Sequence, residues 1–309
     1  MNAYDNHRIC DTAGEEVWPA VSVIVPVYNN WQGVAECLAS LGKQDYRGPF
    51  EVIVVDNGSS DPVPGFDSLG LDLKIIHEPR IGSYHARNAG LSAARFEFFA
   101  FTDSDCQPLD NWLHEGMSLL LSQTGRSVVG GQVRMNAPVF PGRDVPAHYG
   151  TICAFPQEMF IRWRRFSATA NLFASRVVFE EIGPFEGRLR SGGDRQWCLR
   201  AMRQGVRIAY APDAVVEHPP RISYADQVRV FRRTEGGMRD LYPGWRNFLL
   251  ALGKRILPPV WETMMIFGDR GRVLTTRQKM LCVAYAWRMR LVRVGLRWQL
   301  HFSAEESPR

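Results

Sequence analysis

Short, continuous apolar runs alternate along the chain with segments in which apolar residues recur every three or four positions. Val21–Val27 (VSVIVPV), Phe50–Val55 (FEVIVV), Leu73–His77 and Phe98–Thr102 (FFAFT) are runs of the kind that suits strands buried on both faces. After the first, Val34, Cys37, Leu38 and Leu41 fall at i, i+3, i+4 and i+7, one face of a helix that Asn30 can cap. Gly82–Ala94 reads as a helix whose small residues (Ala86, Ala89, Gly90 and Ala93) allow close packing on a sheet. This alternation is the strand–helix–strand unit of a parallel sheet with right-handed crossovers. Beyond it the pattern predicts a helix over Trp112–Leu121, a strand over Val128–Met135 and a Pro- and Gly-rich loop over Asn136–Gly150. A strand over Ala168–Ser175 follows, then the apolar Val177–Ile182. Ser191-Gly192-Gly193-Asp194 opens a helix that Gly205 ends, and Val206–Tyr210 and Val215–His218 complete the series. No internal repeat or low-complexity tract interrupts this α/β pattern.

Three strands end in polar groups: Tyr28–Asn30, Asp56–Asn57, and Asp103-Ser104-Asp105. In a parallel sheet such ends share one edge, where open α/β sheets bind ligands. In an extended segment Asp103 and Asp105 point the same way. Two like charges there repel unless a cation lies between them, and Mg²⁺ or Mn²⁺ takes oxygen ligands shared with substrate phosphates. A carboxylate such as Asp56 can accept from a base N–H or from ribose hydroxyls. No G-x-G-x-x-G follows the first strand and no G-x-x-x-x-G-K-[ST] occurs. Together the tips describe a nucleoside diphosphate site.

The chain of 309 residues carries a net charge of +5, unevenly spread. Residues 1–220 hold 20 Lys+Arg and 25 Asp+Glu (−5), and residues 221–309 hold 17 and 7 (+10). Such asymmetry implies different partners for the two parts. The six cysteines form no C-x-x-C pair and no His cluster joins them, which fits reduced thiols in a cytoplasmic setting rather than a disulfide framework or zinc site. The N-terminus has no signal-peptide core, and no apolar run is long enough to span a membrane.

SVIVPVYNN, EVIVVDNGSSD, ARNAGL, FTDSDC and GGDRQWCLRAMRQG, in that order, resemble the motifs of family 2 glycosyltransferases, inverting enzymes of the GT-A fold. The resemblance covers about residues 18–220. It implies a Rossmann-like α/β sandwich around a mixed, mostly parallel sheet, followed by a C-terminal helical extension. The expected division is a flexible leader over 1–17, a catalytic domain over 18–235 and a basic amphipathic helical region over 236–309. The implied donor is a nucleotide-sugar, most often UDP- or dTDP-linked. Pro26 and Tyr28 would line the base pocket, Asp56 would read base or ribose, and Arg87 would lie near uridine or diphosphate. Asp103 would face the ribose or sugar and share in metal binding, Asp105 would be the main ligand of Mg²⁺ or Mn²⁺, and a late histidine, His218, would be a further ligand. Asp194 would be the catalytic base that inversion requires. Arg232 or Arg233 would contact the leaving diphosphate.

Two departures stand out. Gly193 occupies the position before the base where the family usually has an acidic residue, and the Q-x-x-R-W motif of processive members is absent after Gln227. Transfer of one sugar, not polymer synthesis, is expected, in cell-surface polysaccharide or glycolipid assembly. Two rival classes are a sugar-phosphate nucleotidyltransferase and a non-catalytic nucleotide-sugar-binding module. The first would open with a Gly-rich basic loop, which VSVIVPVYNN is not.

Each residue also has a purely structural reading. The D-x-D can be a polar turn, Asp56 the start of an Asx-turn, Arg87 a surface partner of Glu97, His218 a satisfied core histidine, and Asp194 a helix cap. Trp163 with Arg162, Arg164 and Arg165 can line an acceptor groove or form a solvated basic face. The C-terminal region has helical segments with mixed apolar and Arg faces. These suit an anionic membrane surface at the inner face of the cell membrane, or packing on protein, including a homodimer. A lipid-linked or saccharide acceptor accords with the former; nucleic acid does not, since no binding module is present.

Overall fold

In a computed structural model of the chain, residues 9–10, 16–66, 70–136 and 144–302 are described. They divide into two compact units, one of Met1–Arg134, Pro156–Arg188 and Gly193–His218, the other of Met135–Phe155, Leu189–Gly192 and Pro219–Arg309. The leader expected over 1–17 lies mostly outside the described residues; within it β1 (Ile9–Cys10) pairs antiparallel with β2 (Glu16–Val17).

The first unit is built on an eight-stranded mixed sheet. Its strands are β3 (Val21–Val27), β4 (Phe50–Asp56), β5 (Leu73–His77), β6 (Phe98–Thr102), β7 (Gln107–Pro108), β8 (Ser127–Met135), β9 (Asn171–Ser175) and β10 (Arg207–His218), in the spatial order β5-β4-β3-β6-β9-β8-β10-β7. β5, β4, β3 and β6 run parallel, with Val27 opposite Asp56 and Asp56 opposite His77. The polar strand tips therefore share an edge, as the sequence predicts. β9 then runs antiparallel to both β6 and β8. Every residue of β3 is buried, as are all but the first of β4 and β6, which accounts for their unbroken apolar sequence.

The helices of this unit are α1 (Trp31–Leu41), α2 (Ser83–Ala93), α3 (Trp112–Ser122), α5 (Gln157–Arg164), α6 (Arg176–Ile182) and α7 (Gly193–Arg203). α1 is capped as predicted: Asn30 Oδ1 accepts from Gly33 N at 3.3 Å. α3 buries Trp112, whose indole N–H donates to Asn171 Oδ1 at 2.9 Å, and Asn171 donates in turn to the Gln132 and Ala214 carbonyls. These bonds tie strands β8, β9 and β10 to the helix layer, with the Trp112 and Asn171 donors satisfied.

Two sequence expectations are corrected. Asn136–Gly150 is not all loop: α4 occupies Val145–Ile152, while 137–143 lie outside the described residues. The predicted strand Val206–Tyr210 and the strand expected just before His218 are one strand, β10, which carries straight through the exposed Pro212 and Asp213 and includes His218.

The second unit is helical: α4, then α8 (Tyr224–Leu241), α9 (Trp245–Ile256), α10 (Val260–Phe267) and α11 (Thr276–Phe302). Tyr149, Tyr285, Ala286 and Met289 form one buried cluster between α4 and α11, and Ile152, Ile266, Leu274 and Cys282 a second. Buried Gln227 donates to the Pro146 and Arg221 carbonyls and accepts from Tyr285 Oη at 2.9 Å. No described helix is long and apolar enough to cross a membrane.

Candidate active site

The site of the first unit is assembled from loops that follow parallel strands, and Asn57 organises them. Its side chain donates to the carbonyls of Glu78 (3.0 Å) and Arg80 (2.7 Å) and accepts from Gly82 N (2.8 Å). That pins the segment leading into α2, and so fixes where α2 presents Tyr84 and Arg87. Asn88, the next residue of the same helix, clamps the Phe185 backbone through both its N–H and its carbonyl.

Asp56 ends β4. Its Oδ1 accepts from Ser59 N at 2.9 Å and its Oδ2 meets His77 Nδ1 at 3.1 Å. Burial works against its ionised form, but the hydrogen bonds from Ser59 and His77 outweigh it and hold Asp56 below the usual carboxylate pKa. The Asx-turn reading is therefore correct for one oxygen, while the carboxylate stays ionised. Pro26 is buried within β3 and Tyr28 is exposed just past its end.

Asp103-Ser104-Asp105 does not remain extended. Cys106 N donates to the Asp103 carbonyl at 3.0 Å, closing a turn, and the two carboxylates take different partners. Asp103 Oδ1 accepts from Arg87 Nη2 at 2.5 Å, so Arg87 pairs with the acidic motif and not with Glu97, whose partner is Arg176. Arg87 is buried and its Nε lacks a hydrogen-bond acceptor. Asp105 Oδ2 lies 3.5 Å from His218 Nε2. The antiparallel pairing of β10 with β7, with Val216 opposite Pro108 and Glu217 opposite Gln107, delivers His218 there.

Asp105, Cys106 and His218 offer ligand atoms all within 4.8 Å of one another. Asp103 does not belong to this group. Burial, then the charges of Asp103 and Asp105, pushes the Cys106 thiol pKa well above its ordinary value. The Asp105 carboxylate and the His218 imidazole are a donor pair that fits Mn²⁺ better than Mg²⁺, because Mg²⁺ prefers oxygen.

Asp194 lies in the first turn of α7. Its Oδ1 accepts from Arg195 N at 2.7 Å and from Tyr84 Oη at 3.2 Å. Solvent still reaches part of the residue, yet the protein packed round the carboxyl pushes its pKa up, against the pull of the Arg195 N–H, the Arg87 charge and the Tyr84 hydroxyl. Gly193 has a steric reason. A Cβ there would stand 2.7 Å from the Tyr84 ring, so the space an acidic side chain would need is filled by the tyrosine. Arg87 lies 5.4 Å from that ring's centroid, which links Asp194, Tyr84, Arg87 and Asp103 in one chain of contacts.

Sequence reading missed Tyr84 and His77, which carry no motif of their own, and did not group Cys106 with the metal-capable residues. Arg232 and Arg233 belong to the second unit, where Arg232 donates to Gln299. On α5, Arg162 pairs with Glu158 and Arg164 lies over Phe160, a solvated basic face beside exposed Trp163. The five described cysteines (Cys37, Cys106, Cys153, Cys198 and Cys282) are free thiols.

Residues 22–191, more than half of the chain, match the family model for Glycosyl transferase family 2. The chain belongs to that family. It is similar along its length to Glycosyltransferase AglE of Haloferax volcanii, 36% identical over 306 residues covering 94% of this chain and 98% of that protein. It is 30% identical over 214 residues to a pre-mycofactocin glycosyltransferase of Mycobacterium tuberculosis, covering 67% of this chain and 44% of that protein. Among solved structures, mannosyltransferase PcManGT from Pyrobaculum calidifontis, in complex with GDP-Man and Mn²⁺, has a TM-score of 0.62 at 18% identity, covering 94% of this chain and 90% of that one. S. aureus TarS 1-349 in complex with UDP-GlcNAc has a TM-score of 0.52 at 20% identity, covering 91% and 90%. At such identities the likeness shows the fold, which is GT-A. The chain is a glycosyltransferase, and the nucleotidyltransferase and binding-module readings fall away.

Proposed function

We propose that the protein transfers one sugar, with inversion, from a nucleoside diphosphate donor to a hydroxyl acceptor, assisted by Mn²⁺ or Mg²⁺. The observation that carries this is the gathering, within one unit, of an ionised Asp56, the Arg87–Asp103 pair, the Asp105–His218 pair and Asp194. Pro26 and Tyr28 flank the base, and Asp56 accepts from a base N–H or from ribose. Asp103, oriented by Arg87, accepts from ribose or sugar hydroxyls, and the buried Arg87 Nε is a donor left over for the diphosphate. Asp105 and His218 would hold the metal, which when bound offsets the charge that develops on the leaving diphosphate.

Inversion requires the acceptor hydroxyl to attack opposite the leaving group. Asp194 takes that proton as the bond forms. Burial makes its carboxylate a stronger base than a solvated one, and the Tyr84 hydroxyl and Arg195 N–H fix its direction.

The nucleotide is read as uridine or thymidine, but GDP-Man in the mannosyltransferase neighbour makes guanosine donors part of the test. The acceptor is read as a lipid-linked sugar or saccharide of cell-surface glycan assembly, the setting as the cytoplasm. The test is a thermal-shift screen of UDP-, dTDP- and GDP-sugars with and without Mn²⁺, followed by NMR of the anomeric configuration of the product. Stabilisation by none of them, or retention of configuration, refutes the proposal.

A further inference from the structure

In the second unit three consecutive helices each turn an apolar face outward. On α9, Trp245, Leu249 and Ile256 share one helical face and are 51–66% exposed. On α10, Val260, Met264 and Phe267 fall at i, i+4 and i+7 and are 49–61% exposed. On α11, Met280, Ala284, Trp287, Leu291 and Trp298 repeat the pattern over almost the whole helix, again exposed. The helices adjoin: Trp298 of α11 lies 5.8 Å from the buried Phe248 of α9, and Lys279 of α11 stands over the Phe267 ring of α10. Beside them an open cleft of about 430 Å³ is lined by Val145, Pro146, Leu281, Ala284 and Tyr285, with Arg288 at its edge. A patch of this breadth marks an interaction surface.

Charge selects the partner. Residues 245–302 contain eleven Lys+Arg and two acidic residues, a net of +9. The two acidic residues, Glu262 and Asp269, are already paired with Arg290 and Arg272. Exposed Arg246 lies beside the apolar face of α9, and exposed Arg272 and Arg277 lie between α10 and α11 or at the start of the latter. In a two-fold dimer the same patch would meet itself and oppose these cations to their copies. An anionic bilayer instead supplies phosphates for the cations and an apolar boundary for the rings and aliphatic groups. Exposed Trp245, Trp261, Trp287 and Trp298 suit that boundary.

We infer that the α9–α11 surface docks in the plane of an anionic lipid bilayer, its apolar faces sunk to the headgroup–acyl boundary and its Lys and Arg on lipid phosphates. This goes beyond the transfer reaction and uses none of the donor-site residues.

The test is co-sedimentation of the full chain with phosphatidylcholine vesicles and with vesicles that also carry phosphatidylglycerol. Binding to the anionic vesicles alone is expected, weakening with salt. Leu249→Ser with Met264→Ser should lose about tenfold or more in affinity. Arg246→Gln and Arg277→Gln should each lose roughly fivefold. Circular dichroism and melting should match the wild type, because all four side chains are exposed. Should the apolar variant misfold, quenching of wild-type tryptophan fluorescence by brominated lipid is the equivalent readout, and its absence counts against docking. No binding, or equal binding to neutral vesicles, overturns the inference. So does a dimer in sedimentation velocity that the Leu249/Met264 variant splits while vesicles stay unbound, for then the face belongs to a second copy.

Discussion

Replacing Asp194 with Asn changes charge and proton affinity but not shape. Asn Oδ1 can still accept from Tyr84 Oη and Arg195 N, so the start of α7 keeps its geometry. What is lost is the proton acceptor. A positioned general base contributes about 10²–10⁴ in rate, or roughly 3–5 kcal/mol of barrier. Transfer should fall by that much while nucleotide affinity, measured by calorimetry, changes far less, since Asp194 bonds to Tyr84 and Arg195 and not to Asp56, Arg87, Asp103 or Asp105, the residues proposed to hold the donor and metal. Stability should move the other way. The Asp194 pKa is raised in the folded state, above its ordinary 3.8. Such a group contributes stability that is full below the unfolded pKa and lost as pH rises through the folded one. At neutral pH the ionised carboxylate therefore costs stability, and the neutral amide should melt at the same temperature or higher. The wild-type acid limb of the pH–rate profile should have its midpoint above 3.8 and vanish in the variant. Turnover within tenfold of wild type would refute the base assignment. A clear fall in melting temperature at neutral pH would refute the account of the burial.

Tyr84→Phe removes the hydroxyl that lowers the Asp194 pKa, so the acid limb should move further up and transfer drop about ten- to hundredfold, the worth of one hydrogen bond to a charged group; an unshifted limb would deny Tyr84 a positioning role. Asp105→Ala and His218→Ala should each abolish the Mn²⁺-dependent part of nucleotide binding, and wild-type binding that is indifferent to chelator would remove the metal from the mechanism. Glu78 is held at about 2 by its hydrogen bond and charge pairing with Arg80, below an ordinary 4.5. The wild type should thus be more stable than Glu78→Gln above about pH 4.5, and urea titrations should show the gap closing as pH falls toward 2. Glu235 is buried in the second unit against Arg255 and Arg293, and burial, then the Arg293 charge, lowers the Arg255 pKa to about 10. Glu235→Ala leaves those half-buried cations without their counter-charge and should cost about 3 kcal/mol in denaturant unfolding, the lower end for breaking a buried pair because solvent partly reaches the guanidiniums; a loss under about 1 kcal/mol would mean that solvent screens the cluster fully.

The parallel half of the sheet was legible because strands buried on both faces must be continuously apolar, and their polar ends had nowhere to go but the shared edge. α4 was not legible, because its Pro and Gly mean something other than loop. Pro146 sits in the first turn, where its missing N–H costs nothing, and Asp144 caps the helix by accepting from Ala147 N. Gly150 is there for space: a Cβ would lie 2.1 Å from the Arg221 carbonyl oxygen. β10 was split because Pro212-Asp213 breaks the apolar pattern, although an exposed stretch of strand tolerates both residues.

The same physics separates what was right about the acidic motif from what was not. Two carboxylates one residue apart were read as a pair because an extended chain points them together. A turn at Ser104 instead gives each its own counter-group, Arg87 from α2 and His218 from β10. Neither partner can be read from local spacing, since they come from 16 residues before Asp103 and from well over a hundred residues after Asp105. Charge balance demanded a positive or metal-binding partner near Asp103 and Asp105, and the sequence carried that demand; only the register of a two-residue strand, β7, against the end of β10 says which histidine meets it. In the proposed mechanism that division of labour gives Asp103 the orientation of the donor and Asp105 the metal. The two substitutions should therefore part company: Asp103→Ala should weaken nucleotide-sugar binding with and without Mn²⁺ alike, whereas Asp105→Ala should erase the difference between the two conditions. Identical metal responses in both variants would mean that the carboxylates act as one site after all.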